Sequence, residues 1–187
     1  MPATTPAAKP DRKDIIAWAF YDWANSAFAV TVISAFFPLF LRQYWNADGD
    51  SASSTLQLGF ANSAASIFVA LLAPALGAIA DRGSAKKIWL VAFTGIAVAT
   101  TAALSLVVRG NWPFAIALFA AASIGFSVAN IFYDALIVDV ARGERLHAVS
   151  SLGFALGYLG GGLLFTVNVM MTLWPQQIGR ASCRERV

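Results

Sequence analysis

Five long apolar stretches constrain this chain more than any other feature. They run approximately over residues 15–41, 56–79, 88–108, 114–138 and 149–174. A helix needs about 20 mostly apolar residues to cross a bilayer core of roughly 30 Å, and every stretch is long enough. Composition agrees: 58% of the 187 residues are hydrophobic, 12% are charged, and the mean hydropathy is +0.66. Soluble domains carry about 25% charged residues, and a soluble core of this size cannot hide so much apolar surface. The expected fold is all-α and integral to a membrane, with lipid as the solvent for most of the chain.

Turn signals separate the stretches: Asn46 to Asp50, Asp81 to Ser84, Arg109 to Pro113, and Arg142 to Arg145. These connections are short, so consecutive helices are expected to be antiparallel neighbours. Lys9, Arg12, Lys13, Arg82, Lys86, Lys87, Arg142 and Arg145 fall on one side, and only Arg42 and Arg109 on the other. Positive charge is retained in the cytoplasm, so the N-terminus is expected inside a cell membrane, that of a bacterial cell by preference. Trp45, Trp112 and Trp174 fall at the outer ends, where indole rings favour the interface.

The net charge of +3 and pI near 9.3 come from these loops rather than from a patch, which argues against a nucleic-acid partner. One histidine, His147, and one cysteine, Cys183, leave no metal cluster, disulfide framework or Cys–His catalysis to expect. No catalytic residue, metal or cofactor is assigned. Residues 1–14, with Pro2, Pro6 and Pro10, read as a disordered cytoplasmic arm, and the bundle as residues 15–177. Residues 178–187 carry four charges in ten residues after a long apolar helix. They look like translated sequencing-adapter sequence joined in frame to a broken gene, and are expected to be non-native.

Ionisable groups inside membrane helices are costly and mark functional sites by default. Asp22, Asn25 and Ser26 sit at i, i+3 and i+4 in the first helix and so share a face. Asn130, Tyr133 and Asp134 repeat that spacing in the fourth. At about 1.5 Å per residue, Asp22 lies roughly 9 Å and Asp134 roughly 12 Å to the cytoplasmic side of their helix centres. The two clusters at similar depth suit a water-filled cavity for a substrate or proton. The plainer reading is that each carboxylate is hydrogen-bonded locally and locks helix packing.

Gly153, Gly157 and Gly161 form overlapping GxxxG spacings in the fifth helix, which permit close helix packing in lipid. The loop from Gly77 through Asp81, Arg82, Lys86 and Lys87 concentrates charges of both signs. Asp139, at the C-terminal end of the fourth helix, opposes the helix dipole and calls for a nearby cation. A cytoplasmic charge network of Asp81, Arg82, Asp139 and Arg142 is expected.

Gly77-x-x-x-Asp81-Arg82 followed by Lys86-Lys87 resembles the helix 2–3 loop motif of the major facilitator superfamily. Tyr21-Asp-Trp-Ala-Asn-Ser-Ala-Phe28 resembles the first helix of its vacuole-effluxer-like branch, best known for amino-acid efflux. The Tyr133-Asp134 stretch and the run from Ser150 to Tyr158 are similar to that branch too. Gly157 to Gly162 matches the spacing of an exporter-associated Gly-Pro-x-x-Gly-Gly motif, with Tyr158 in place of proline; Ser84 and Ala85 stand where the loop motif usually has Gly and Arg. The resemblance implies a twelve-helix transporter whose helices 1 and 4 line the cavity and whose loop motif latches two halves. The chain would then supply five of the six helices of a truncated N-terminal bundle, with the C-terminal half as its missing packing partner. Its function would be transport or efflux of a small solute, the amino-acid class included, by alternating access, with lipid, solute and protons as partners. The alternative is a membrane scaffold subunit that transports nothing.

Overall fold

A computed structural model describes residues 12–82, 85–143 and 145–174, with Arg82 described for its backbone alone. Most of the expected N-terminal arm and all of the expected foreign tail lie outside the described residues. Arg12, Lys13 and Asp14, assigned to the arm, form the first turn of the first helix.

Five described helices are long and apolar enough to cross a membrane. They are α1 (Arg12–Trp45), α2 (Ser51–Arg82), α3 (Lys86–Ala103), α4 (Trp112–Val140) and α5 (Arg145–Leu173). Most run past the apolar stretch that marks them, because apolar content reports the hydrocarbon slab and not the helix end. The exception is α3, which stops at Ala103 and closes through a 3₁₀ turn, Leu104–Leu106, leaving Val107 extended. Asp50 caps α2: its Oδ1 accepts the Ser53 amide at 2.7 Å, the usual N-cap arrangement.

The first helix is not regular. It is α-helical over Arg12–Phe28, widens into a π-helix over Ala29–Phe36, and widens again over Leu41–Trp45. The Phe37 amide bonds the Val32 carbonyl five residues back, and the Ser34 hydroxyl donates to the Ala29 carbonyl at 3.0 Å. Pro38 follows at once. It has no amide to donate, and its ring crowds the carbonyl four residues earlier; the wider turns relieve that crowding.

The expectation that consecutive helices pack as neighbours holds only for α3 with α4. Otherwise α1 packs along α5, α2 packs along α4, and α1 and α2 touch only near their shared loop. Loop length fixes which ends meet, whereas close backbone approach decides which helices lie together. A Cβ built on Gly125 of α4 would sit 3.0 Å from the Phe93 carbonyl oxygen and 3.1 Å from the Ala97 nitrogen of α3. α4 is the most buried helix and the hub of the bundle. It runs antiparallel to α1 through the ring pairs Trp18–Tyr133, Phe28–Phe126 and Phe37–Phe119, while α1 and α5 run parallel.

Three apolar clusters fill the bundle, two of them side by side against Leu90. Trp18, Tyr133, Leu136 and Val149 fill the basic end; Ala80, Val128 and Phe132 fill a second cluster between α2 and α4. Phe37, Leu41, Trp45, Leu104 and Phe119 fill the opposite end. Trp45, the last residue of α1, is buried at that end, and its indole N–H donates to the Val107 carbonyl at 3.2 Å. Large apolar side chains such as Leu56, Phe60, Leu71, Val91 and Leu159 face outward, as lipid-facing surfaces require.

Candidate functional site

The polar clusters of α1 and α4 meet in one cavity of about 350 Å³. Asp22 and Asn25 enter from α1, and Asn130, Tyr133 and Asp134 from α4. Helical periodicity places each set on one face, and the antiparallel α1–α4 contact turns the faces toward each other at matching depth. Trp18, Ile137, Ser150 and Phe154 complete the lining. These four were missed by the sequence reading, although a simple signal marks them. Trp18 lies one turn before Asp22, Ile137 three residues after Asp134, and Ser150 and Phe154 one turn apart on α5.

Tyr133 anchors the cavity wall. Its ring stacks on Trp18 with centroids 4.5 Å apart and an interplanar angle of 9°, and on Tyr21 at 4.9 Å. The Trp18 indole N–H donates to the Tyr133 backbone carbonyl at 3.1 Å, and Tyr21 shares a 2.9 Å hydrogen bond with Thr94 of α3. Three helices thus hold one tyrosine ring. The Tyr133 residue is 6% exposed, and its hydroxyl has no hydrogen-bond partner among the described residues. The Asn130 side-chain oxygen is likewise buried and unpartnered. Buried polar atoms nearly always find a partner; these two oxygens lie sealed within the wall, behind the Asp22 and Asp134 carboxylates that line the cavity.

Ser26 departs from its expected place in the pathway. It turns toward α5, where a Cβ on Gly157 would lie 2.6 Å from its Oγ, and it does not line the cavity. The glycines of α5 do what close packing requires. Gly153 abuts the Trp18 ring, Gly157 abuts Asp22 and Ser26, and Gly161 abuts the Ser26 backbone. Gly160, absent from the predicted stripe, packs as closely: a Cβ there would meet the Trp23 carbonyl oxygen at 2.6 Å. The GxxxG spacing hid it, because a helix face wide enough to meet a large partner admits i+3 as well as i+4.

The expected charge network is rearranged. The partner of Asp139 is Lys86, at 2.8 Å, rather than Arg142, and Lys86 also donates to the Ala135 carbonyl at 3.1 Å. A lysine from the start of α3 therefore answers the dipole at the end of α4, which the α3–α4 pairing makes possible. Asp81, Lys87 and Arg142 are exposed, and the Arg82 side chain lies outside the described residues. Gly77 has open space around it, so close packing does not explain it. Among the described residues no three His, Cys, Asp or Glu side chains converge as a metal site would need.

The profile described as Major Facilitator Superfamily matches residues 8–173. An uncharacterized MFS-type transporter, YxiO, of Bacillus subtilis (strain 168) is 39% identical over 160 residues, covering 85% of this chain and 37% of the relative. An uncharacterized protein of Aquifex aeolicus (strain VF5) is 28% identical over 154 residues, covering 81% of this chain and 38% of the relative. The chain thus spans less than two fifths of the length of these relatives. No solved structure matches it.

Proposed function

This chain belongs to the major facilitator superfamily, and on that premise we propose that it forms part of the first half of a secondary transporter for a small solute. The observation that carries the reading is the single cavity shared by Asp22 and Asn25 of α1 with Asn130, Tyr133 and Asp134 of α4. Alternating access needs a site between two bundles that rock against each other, and the polar faces of α1 and α4 would form one side of such a site. The first-helix octapeptide Tyr21 to Phe28 supports the vacuole-effluxer-like branch, with amino-acid-sized cargo. The basic residues at one end support a cell-membrane location with the N-terminus in the cytoplasm. The lengths of the relatives support a further half that completes the cavity.

Cysteine accessibility tests this. With Cys183 replaced by serine, Asn25→Cys and Asn130→Cys are each exposed to a membrane-impermeant thiol reagent in nanodiscs. Modification at both positions is the expected result. Two inert thiols would mean a dry, packed interface and would favour a scaffold over a transporter.

A further inference from the structure

The chemistry of the cavity lining selects among solutes. We infer that this cavity receives the ammonium group of a cationic organic solute and rejects anions of the same size. The inference rests on the transport reading above and deepens it.

Two of the lining side chains, Asp22 and Asp134, are carboxylates, and no Lys, Arg or His is among the described residues that line the cavity. An ionised carboxylate only accepts hydrogen bonds. The Asn130 Oδ1 and the Tyr133 hydroxyl are sealed within the wall behind these acids, so the carboxylates are the charged groups that the cavity presents. The wall is therefore rich in acceptors and poor in charged donors. An ammonium group brings three N–H donors and no acceptor, and so complements a lining whose charged groups are carboxylates. A carboxylate or phosphate would face two like charges with no cation to offset them.

The rest of the lining fits the body of such a solute. Trp18, Ile137 and Phe154 supply apolar surface beside the acids, and aromatic rings attract cations electrostatically. Of the two lysines that open α3, Lys86 is engaged by Asp139, and Lys87 lines a neighbouring cavity with Trp18 and Tyr133; neither lines this one. The neutrality of α5 at this point matters too, since it contributes only Ser150 and Phe154 to the lining.

The test uses the 187-residue chain with Cys183→Ser and Asn25→Cys, in nanodiscs of neutral phosphatidylcholine. Two methanethiosulfonates of similar size, one bearing trimethylammonium and one bearing sulfonate, are compared after normalising each rate to its reaction with free cysteine. The cationic reagent should react at least tenfold faster. Benzylammonium should slow modification by a neutral reagent at least threefold, whereas benzoate and benzyl alcohol should not. Asp22→Asn with Asp134→Asn should bring the reagent ratio near one and remove the protection, while Asp134→Glu, which keeps the charge, should retain both. A ratio near one in the parent, or equal protection by benzoate, overturns the inference while leaving a wet transport cavity in place. No reaction with either reagent overturns the transport reading itself.

Discussion

The α-carbon of Gly157 rests against the Asp22 carboxylate: a Cβ built there would lie 2.8 Å from Asp22 Oδ2. A close helix contact is thus also a wall behind the cavity. Gly157→Leu should separate α5 from α1 and lower stability by about 1–3 kcal/mol, the usual cost of overpacking. Gly162→Ala, with nothing within 4 Å of its added methyl, should be neutral or gain up to about 1 kcal/mol from helix propensity. Thermal unfolding in one detergent, with both variants side by side, checks the contrast. Equal losses would show that the close approach is not what matters.

Gly160→Ala is expected to be worse than Gly153→Ala. The first methyl meets the Trp23 backbone oxygen at 2.6 Å, the second the edge of the Trp18 ring at 2.7 Å. A ring can tilt, and a helical carbonyl can move only with its helix. The order of the two melting temperatures is the readout.

Trp18 ties α1 to α4 in two ways, by its stack on Tyr133 and by its indole hydrogen bond. Trp18→Phe keeps an aromatic ring and loses the donor, and should cost about 0.5–1.5 kcal/mol. Trp18→Leu loses the stack as well and should cost about 0.5–1.5 kcal/mol more. Identical losses in urea titrations of the two variants would assign the whole effect to one contact.

At the basic end, Lys86→Met should destabilise more than Asp139→Asn. Lys86 holds both the Asp139 carboxylate and the Ala135 carbonyl, so removing the acid leaves the capping bond in place. Asp139 is half exposed, and an exposed pair contributes only about 0–1 kcal/mol. Arg142→Met should change stability little. A larger loss there than in Lys86→Met would restore arginine as the partner of Asp139.

The cap at the start of α2 should respond to pH. The Ser53 amide and hydroxyl beside Asp50 hold its carboxyl below the usual carboxylate range. A lowered value in the folded chain means stability that is present above about 3.9, the ordinary aspartate pKa, and is lost as the pH falls through the lowered one. Hydrogen exchange at the Ser53 amide, corrected for intrinsic rates, should stay slow down to that region and quicken below it. Asp50→Asn should flatten the profile while keeping the cap.

Five long apolar helices, their approximate extents and the shared level of Asp22 and Asp134 along the bundle were legible in the sequence, because lipid demands long apolar runs and makes each intramembrane charge conspicuous. Periodicity alone put Asp22 with Asn25, and Asn130 with Tyr133 and Asp134, on single faces. Membership in the superfamily was legible as a resemblance, in the loop motif Gly77-x-x-x-Asp81-Arg82 with Lys86 and Lys87. What the sequence left open was which helix lies against which. Short loops suggested sequential neighbours, but Gly125 against Ala97, and the α5 glycines against Trp18, Trp23 and Ser26, decided the pairing through backbone approach. From that pairing came the turn of Ser26 away from the cavity, the choice of Lys86 for Asp139, the burial of Trp45 and the unpartnered Tyr133 hydroxyl. Residue type and spacing determine where a side chain stands on its own helix; only the packing of separate helices determines what it faces.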